Sequence, residues 1–208
     1  SMALNLGIYS TDLSYASLFD QTQASIKYMA VSKRMAEGLG ILNAIDNTIV
    51  QRLEENVNNR EAIMDIISES LLNTSSILEE DDRVAISSVI LVGGRIEGLY
   101  IATSLVDDVK QDDNELVDRI IDQKLSLSTV VNLLEQHKDN SDVNEVLGDI
   151  KALAAVYEKI QISFSGVEAV EQEGQTTVLR SKNVVSVNPT VFNELRNKVA
   201  SIRTKYIM

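Results

Sequence analysis

The residues best placed to do chemistry are Arg95 and Glu97, set inside the most apolar stretch of the chain, Val84 to Val106. Unpaired charge is costly in such surroundings, so each needs an opposite charge or a hydrogen-bonding group beside it. Two positions apart on a helix, they point to different faces and cannot satisfy one another. The expected partners are Asp12, Asp65 or Glu69 for Arg95, and a Tyr hydroxyl or a Lys for Glu97, with Tyr15 and Tyr28 free to join. The candidate cluster is therefore Asp12, Tyr15, Arg95 and Glu97. It has two roles open to it. The plainer one fixes the register of packed helices; the other lines a small polar ligand pocket between the first, third and fourth helical segments.

Other chemistries fail on residue type. A di-iron bundle needs Glu-x-x-His pairs, and the single histidine, His137, has Leu134 three positions before it. A lone His at a polar helix end reads as a solvated or capping residue. Asp107-Asp108 with Asp112-Asp113 lacks the alternating ligands, central glycine and closing glutamate of a calcium loop. There is no cysteine and no Gly-x-Ser-x-Gly elbow, and Gly93-Gly94 lacks the strand and the Lys-Ser/Thr of a phosphate loop. Hence no catalytic residue, metal ligand or cofactor is expected, and a non-enzymatic role is favoured. Carboxylate acid–base catalysis is the least favoured alternative.

The composition narrows the partners. In 208 residues, 31 acidic and 19 basic side chains leave a formal charge of −12, which repels phosphate backbones and disfavours nucleic acid. The first expectation is a non-enzymatic interaction or structural protein that engages another protein. The alternative is a sensor or carrier that holds a small polar ligand in the bundle core. Val84 to Val106 is apolar enough to suggest a membrane span. Arg95 and Glu97 near its middle would each cost about 2.5–3.5 kcal/mol at a bilayer centre, so burial in protein is preferred. Ser1-Met2 reads as a cloning remnant that could have replaced a native leader.

These side chains must be positioned by helices. With 4% aromatics and a single proline, Pro189, the chain favours aliphatic helix-on-helix packing. The expectation is one all-α domain over residues 1–208, an antiparallel multi-helix bundle with a hairpin-like or extended excursion at 163–188. Periodicity predicts a first helix over about Thr11 to Glu37, capped by Thr11 or Asp12, with Ala16, Phe19, Ile26 and Ala30 on one face and Gly38 and Gly40 as its stop. A short helix follows Asp46. The third carries the stripe Ile63, Ile67, Leu71, Thr74 and Leu78. The fourth, about Asp82 to Val106, is apolar nearly all round and expected at the centre, with Ile90, Leu91 and Leu99 buried. Its Gly93, Gly94 and Gly98 each cost roughly 1 kcal/mol against Ala, which close approach of a neighbouring helix would offset. Two seams follow, Leu116, Ile120, Leu127, Val130, Leu134 and then Val143, Leu147, Ile150, Ala154, Tyr157, Ile160, with Ser141 or Asp142 as a cap. Pro189 opens a last helix with Phe192, Leu195, Val199, Ile202 and Tyr206 inward.

Two motifs carry a resemblance. Leu6-Gly7-Ile8-Tyr9-Ser10-Thr11-Asp12-Leu13-Ser14-Tyr15-Ala16 and Gly93-Gly94-Arg95-Ile96-Glu97-Gly98-Leu99-Tyr100 are similar to shared motifs of uncharacterised helical lipoproteins of Gram-negative bacteria. The layout of helices, an extended excursion and a closing helix is similar too. The resemblance implies export to the periplasm or anchoring at the outer membrane through a lipidated cysteine ahead of this chain. A cytoplasmic location is the alternative. It brings with it no activity and no functional residue.

Overall fold

A computed structural model describes residues 1–41, 47–56, 59–80, 83–107, 115–164, 168–170, 178–180 and 183–207. The chain is predominantly helical. Among the described residues the helices are α1 (Met2–Leu18), α2 (Thr22–Gly38), α3 (Asn47–Glu55), α4 (Arg60–Glu80), α5 (Val84–Ser104), α6 (Glu115–Glu135), α7 (Ser141–Tyr157) and α8 (Pro189–Tyr206). Short strands β1 (Gln161–Phe164), β2 (Glu168–Val170), β3 (Val178–Arg180) and β4 (Asn183–Ser186) stand between α7 and α8. β1 pairs antiparallel with β4, Gln161 opposite Ser186, and β2 with β3, Glu168 opposite Arg180. Residues 165–167, 171–177 and 181–182 of the 163–188 excursion, and the run at 108–114, lie outside the described residues.

The first helix differs most from expectation. The single segment over 11–37 is two helices, and α1 begins nine residues earlier, at Met2. The break is at Asp20, whose φ of 54° is a left-handed conformation that Asp tolerates better than most residues. Thr11 and Asp12 are therefore mid-helix and cap nothing. Ala3, Leu4, Leu6 and Ile8 are core residues, whereas Phe19 and Ile26, expected inward, flank the turn and are exposed. The stop of α2 is as expected: the helix ends at Gly38, and Gly40 adopts a φ of 66°.

α5 packs against α1, α4, α6, α7 and α8, so it occupies the centre. Its contact with α1 is the tightest in the fold. A methyl group on Gly93 would collide with the Leu4 carbonyl, and one on Gly7 would collide with the Ile90 carbonyl and lie 2.7 Å from the Gly94 nitrogen. The two backbones touch because neither carries a Cβ there. Gly98 is different, since a Cβ added to it meets nothing within 4 Å. Ile90 and Leu99 are buried as expected, but Leu91 is 57% exposed, because no element covers that side of α5 fully.

The seams of the later helices are buried as their periodicity predicts. On α6 they are Ile120, Leu127, Val130 and Leu134; on α7, Val143, Leu147, Ile150 and Tyr157; on α8, Phe192, Leu195, Val199, Ile202 and Tyr206. The α7 cap falls one residue earlier than expected, on Asn140, whose side chain accepts from the amides of Asp142 and Val143. In α4, Ile63, Ile67, Thr74 and Leu78 are buried, while the Leu71 side chain lies outside the described residues. These residues form two cores. The larger joins the first half of α1 to α5–α8, and the smaller gathers Leu13, Met29, Ile49, Leu53, Ile63, Ile66 and Ile67 from α1–α4.

Candidate functional site: a closed acid pair and an open arginine cleft

α5 presents its two charged side chains to different neighbours. Glu97, 1% exposed, meets α8, where the Arg203 Nε donates to its Oε2 at 2.5 Å. The Arg203 guanidinium also lies over the Tyr100 ring, 4.1 Å from its centroid. From α1, Asp12 joins the same group, buried and hydrogen-bonded to Glu97. One cation serves two carboxyls. Burial, then the charge of Glu97 and their mutual hydrogen bond, push the Asp12 pKa up to about 7, against the opposing pull of Arg203. Tyr28 of α2 borders the group, its hydroxyl pKa raised by burial and then by the charges of Asp12 and Glu97. The Tyr28 ring stacks on Tyr9, 6.3 Å between centroids. Arg203 itself loses solvent, but its bond to Glu97 and the two carboxyl charges outweigh that and raise its pKa. Asp12, Glu97 and Arg203 form one buried charged cluster that ties α1, α5 and α8 together.

Arg95 sits elsewhere. Its Nη2 donates to the Gln123 carbonyl at 2.8 Å and to the Ser126 Oγ at 2.6 Å, both on α6. Neither acceptor is charged, and among the described residues Arg95 makes no ion pair. The expected carboxylates are engaged elsewhere or out of reach: Asp12 binds Glu97, and Glu69 pairs with Arg52 at 2.9 Å. Burial lowers the Arg95 pKa, and its Nε is buried without a hydrogen-bond partner.

Two clefts meet at Arg95. One, of about 350 Å³, lies between α1, α4, α5 and α6 and includes Ser10, Thr11, Ser14, Thr74, Ser87 and Gln123 among its walls. The helical spacing of Ser10 and Ser14 puts both hydroxyls on one face of α1, and Thr11 leans across to Gly94, its Oγ1 donating to the carbonyls of Gly7 and Gly94. The second cleft, of about 270 Å³, runs between α5 and α6 past Gly98, Leu99, Ala102, Leu116, Arg119 and Ile120. Arg95 and Gln123 border both. Among the described residues no Asp or Glu lines either cleft.

The four residues singled out by sequence thus divide. Asp12 and Glu97 come together, Arg95 stands apart on another face of α5, and Tyr15 lies against Phe19, 4.8 Å between ring centroids. Tyr15 belongs to neither group. Arg203, the true partner of Glu97, was missed. The signal available for it was its place beside Ile202 and Val199 at the edge of the α8 seam, where a long cationic side chain reaches a buried carboxylate. Gln123 and Ser126, polar positions of α6, carry no sequence signal. Among the described residues no group of three or more His, Cys, Asp or Glu could hold a metal ion. α5 is the one described helix long and apolar enough to cross a membrane, and it gives no clear span. No protein-family model, curated protein or solved structure matches the chain.

Proposed function

We propose that the chain is a non-enzymatic binding protein that holds a small, polar, negatively charged ligand in the cleft at Arg95. The observation that carries this is a half-buried guanidinium that, among the described residues, has neutral acceptors only, at the edge of a cleft with hydroxyl-bearing walls and no described carboxylate. Desolvating a cation without a counter-charge costs free energy, and an anionic ligand would return it. Arginine suits the task because its planar fork offers parallel donors to a carboxylate or phosphate. The fold around it we read as an antiparallel multi-helix bundle with 163–188 as a hairpin excursion. Following the resemblance to helical lipoproteins, the compartment would be the periplasmic cell envelope, with a lipid anchor ahead of this chain.

A protein partner is a second reading, favoured by Leu72, Leu91, Leu105 and Leu125, all exposed by more than half. Scattered exposed leucines are ordinary, so this stands behind the cleft.

Isothermal titration with acetate and with inorganic phosphate at low ionic strength tests the ligand site. The parent should bind at least one of them, and Arg95→Gln should weaken that binding by at least tenfold, about 1.4 kcal/mol. Equal affinity of parent and variant would sink the proposal.

A further inference from the structure

The second cleft gives the ligand a shape. Beyond Arg95 the α5–α6 groove is walled by Leu99, Ala102, Leu116 and Ile120, with open space over Gly98 where a side chain would otherwise stand. From Arg95 to Ala102 it follows α5 for roughly 10 Å at 1.5 Å per residue. The two arginines on its walls are Arg95, at the junction with the hydroxyl-lined cleft, and Arg119. A largely apolar slot with Arg95 at its junction with the hydroxyl-lined cleft fits a molecule with one anionic head and one aliphatic tail. In a chain of net charge −12, two arginines and, among the described residues, no carboxylate along a single groove favour such a head over a neutral or cationic one.

We propose that the ligand is a free medium-chain carboxylate, its head held at Arg95 among the hydroxyls and its tail lying in the α5–α6 groove over Gly98. This rests on the anion site proposed above and deepens it. Leucine at position 98 separates the two claims. Its Cβ meets no atom, and leucine is a better helix former than glycine, so Gly98→Leu should fold while filling the groove.

The test is titration of octanoate, acetate and neutral octanol into the folded parent, Gly98→Leu and Arg95→Gln, with circular dichroism confirming that each variant is folded. The parent should bind octanoate at least tenfold more tightly than acetate, and more tightly than octanol. Gly98→Leu should bring octanoate down to the affinity of acetate and leave acetate unchanged, while Arg95→Gln should weaken both. Octanoate bound no better than acetate, or bound equally by parent and Gly98→Leu, overturns the tail site and leaves the anion site standing. Acetate and octanoate bound equally by parent and Arg95→Gln overturn the anion site, and a parent that binds neither overturns the carboxylate and its tail site, the anion site then standing only if inorganic phosphate binds. Octanol bound as tightly as octanoate would show a purely apolar groove and overturn the carboxylate assignment.

Discussion

Two residues along α5 separate two opposite solutions to the same electrostatic problem. Roughly 200° of helical rotation turns Glu97 toward α1 and α8 and Arg95 toward α6. On the first face the charge is answered within the protein, by the Arg203 Nε at 2.5 Å and by Asp12, whose carboxyl pKa burial and the Glu97 charge raise. On the second the charge has only a carbonyl and a hydroxyl, and open clefts beside it. The closed face ties helices together; the open face is the one on which the proposed ligand site rests. A helix that is apolar nearly all round can carry both because each side meets a different neighbour.

The largest effect should come from removing the cation of the closed face. Arg203→Ala leaves two buried carboxyls without a counter-charge and uncovers the Tyr100 ring, and should cost about 3 kcal/mol of unfolding free energy in urea at pH 7.5. That loss should shrink as the pH falls and the Asp12 carboxyl takes up its proton. A loss independent of pH would mean that Arg203 contributes packing alone.

Next is the crossing that presents both faces. Gly93→Ala drives a methyl into the Leu4 carbonyl, and the α1–α5 contact must open. We expect a loss of about 1–3 kcal/mol, the range for overpacking, in spite of the better helix propensity of alanine. A melting temperature at or above that of the parent would show that the close approach is not needed.

The pH dependence isolates Asp12. Its pKa stands at about 7 in the fold against 3.8 ordinarily, so between these values the folded state holds a proton that the unfolded state has lost. By linkage the stability from this group is complete below pH 4, declines as the pH rises and is gone above about pH 7. The rise sets a ceiling of about 4 kcal/mol, and a third of that would move the melting temperature by about 3–4 °C in a chain of this size. Asp12→Asn, which imitates the protonated acid, should flatten this part of the profile and melt higher than the parent at pH 8. An unchanged profile would mean that Asp12 does not carry this pH dependence. The smallest effect is expected at Leu91, where replacement by Gln should change stability by less than about 0.5 kcal/mol.

Much of the fold was legible in the sequence, and for one reason. The seams of α6, α7 and α8 repeat with a helical period and are walled by polar residues, so Ile120, Ile150 and Val199 could only point inward. The start of the chain resisted the same logic. α1 is apolar over Ala3 to Ile8 and hydroxyl-rich beyond it, with no stripe to mark its register, and its junction with α2 turns at Asp20 without glycine or proline. The site was half legible. That Glu97 needed a partner followed from its surroundings, but which one depended on α8 returning beside α5, a long-range pairing that local pattern does not encode. Arg95 was expected to find a carboxylate because burial without one is costly; the structure supplies neutral acceptors and a cleft instead.

The contrast between the two faces can be measured in one pair of variants. Unfolding free energies of Glu97→Ala and Arg95→Ala, taken in urea at pH 7.5 in a buffer free of carboxylates and phosphate, compare the closed charge with the open one. Glu97→Ala should cost at least about 2 kcal/mol more than Arg95→Ala, because only the first breaks a buried ion pair. Equal losses, or a greater loss at Arg95, would contradict the division of α5 into a structural face and a binding face.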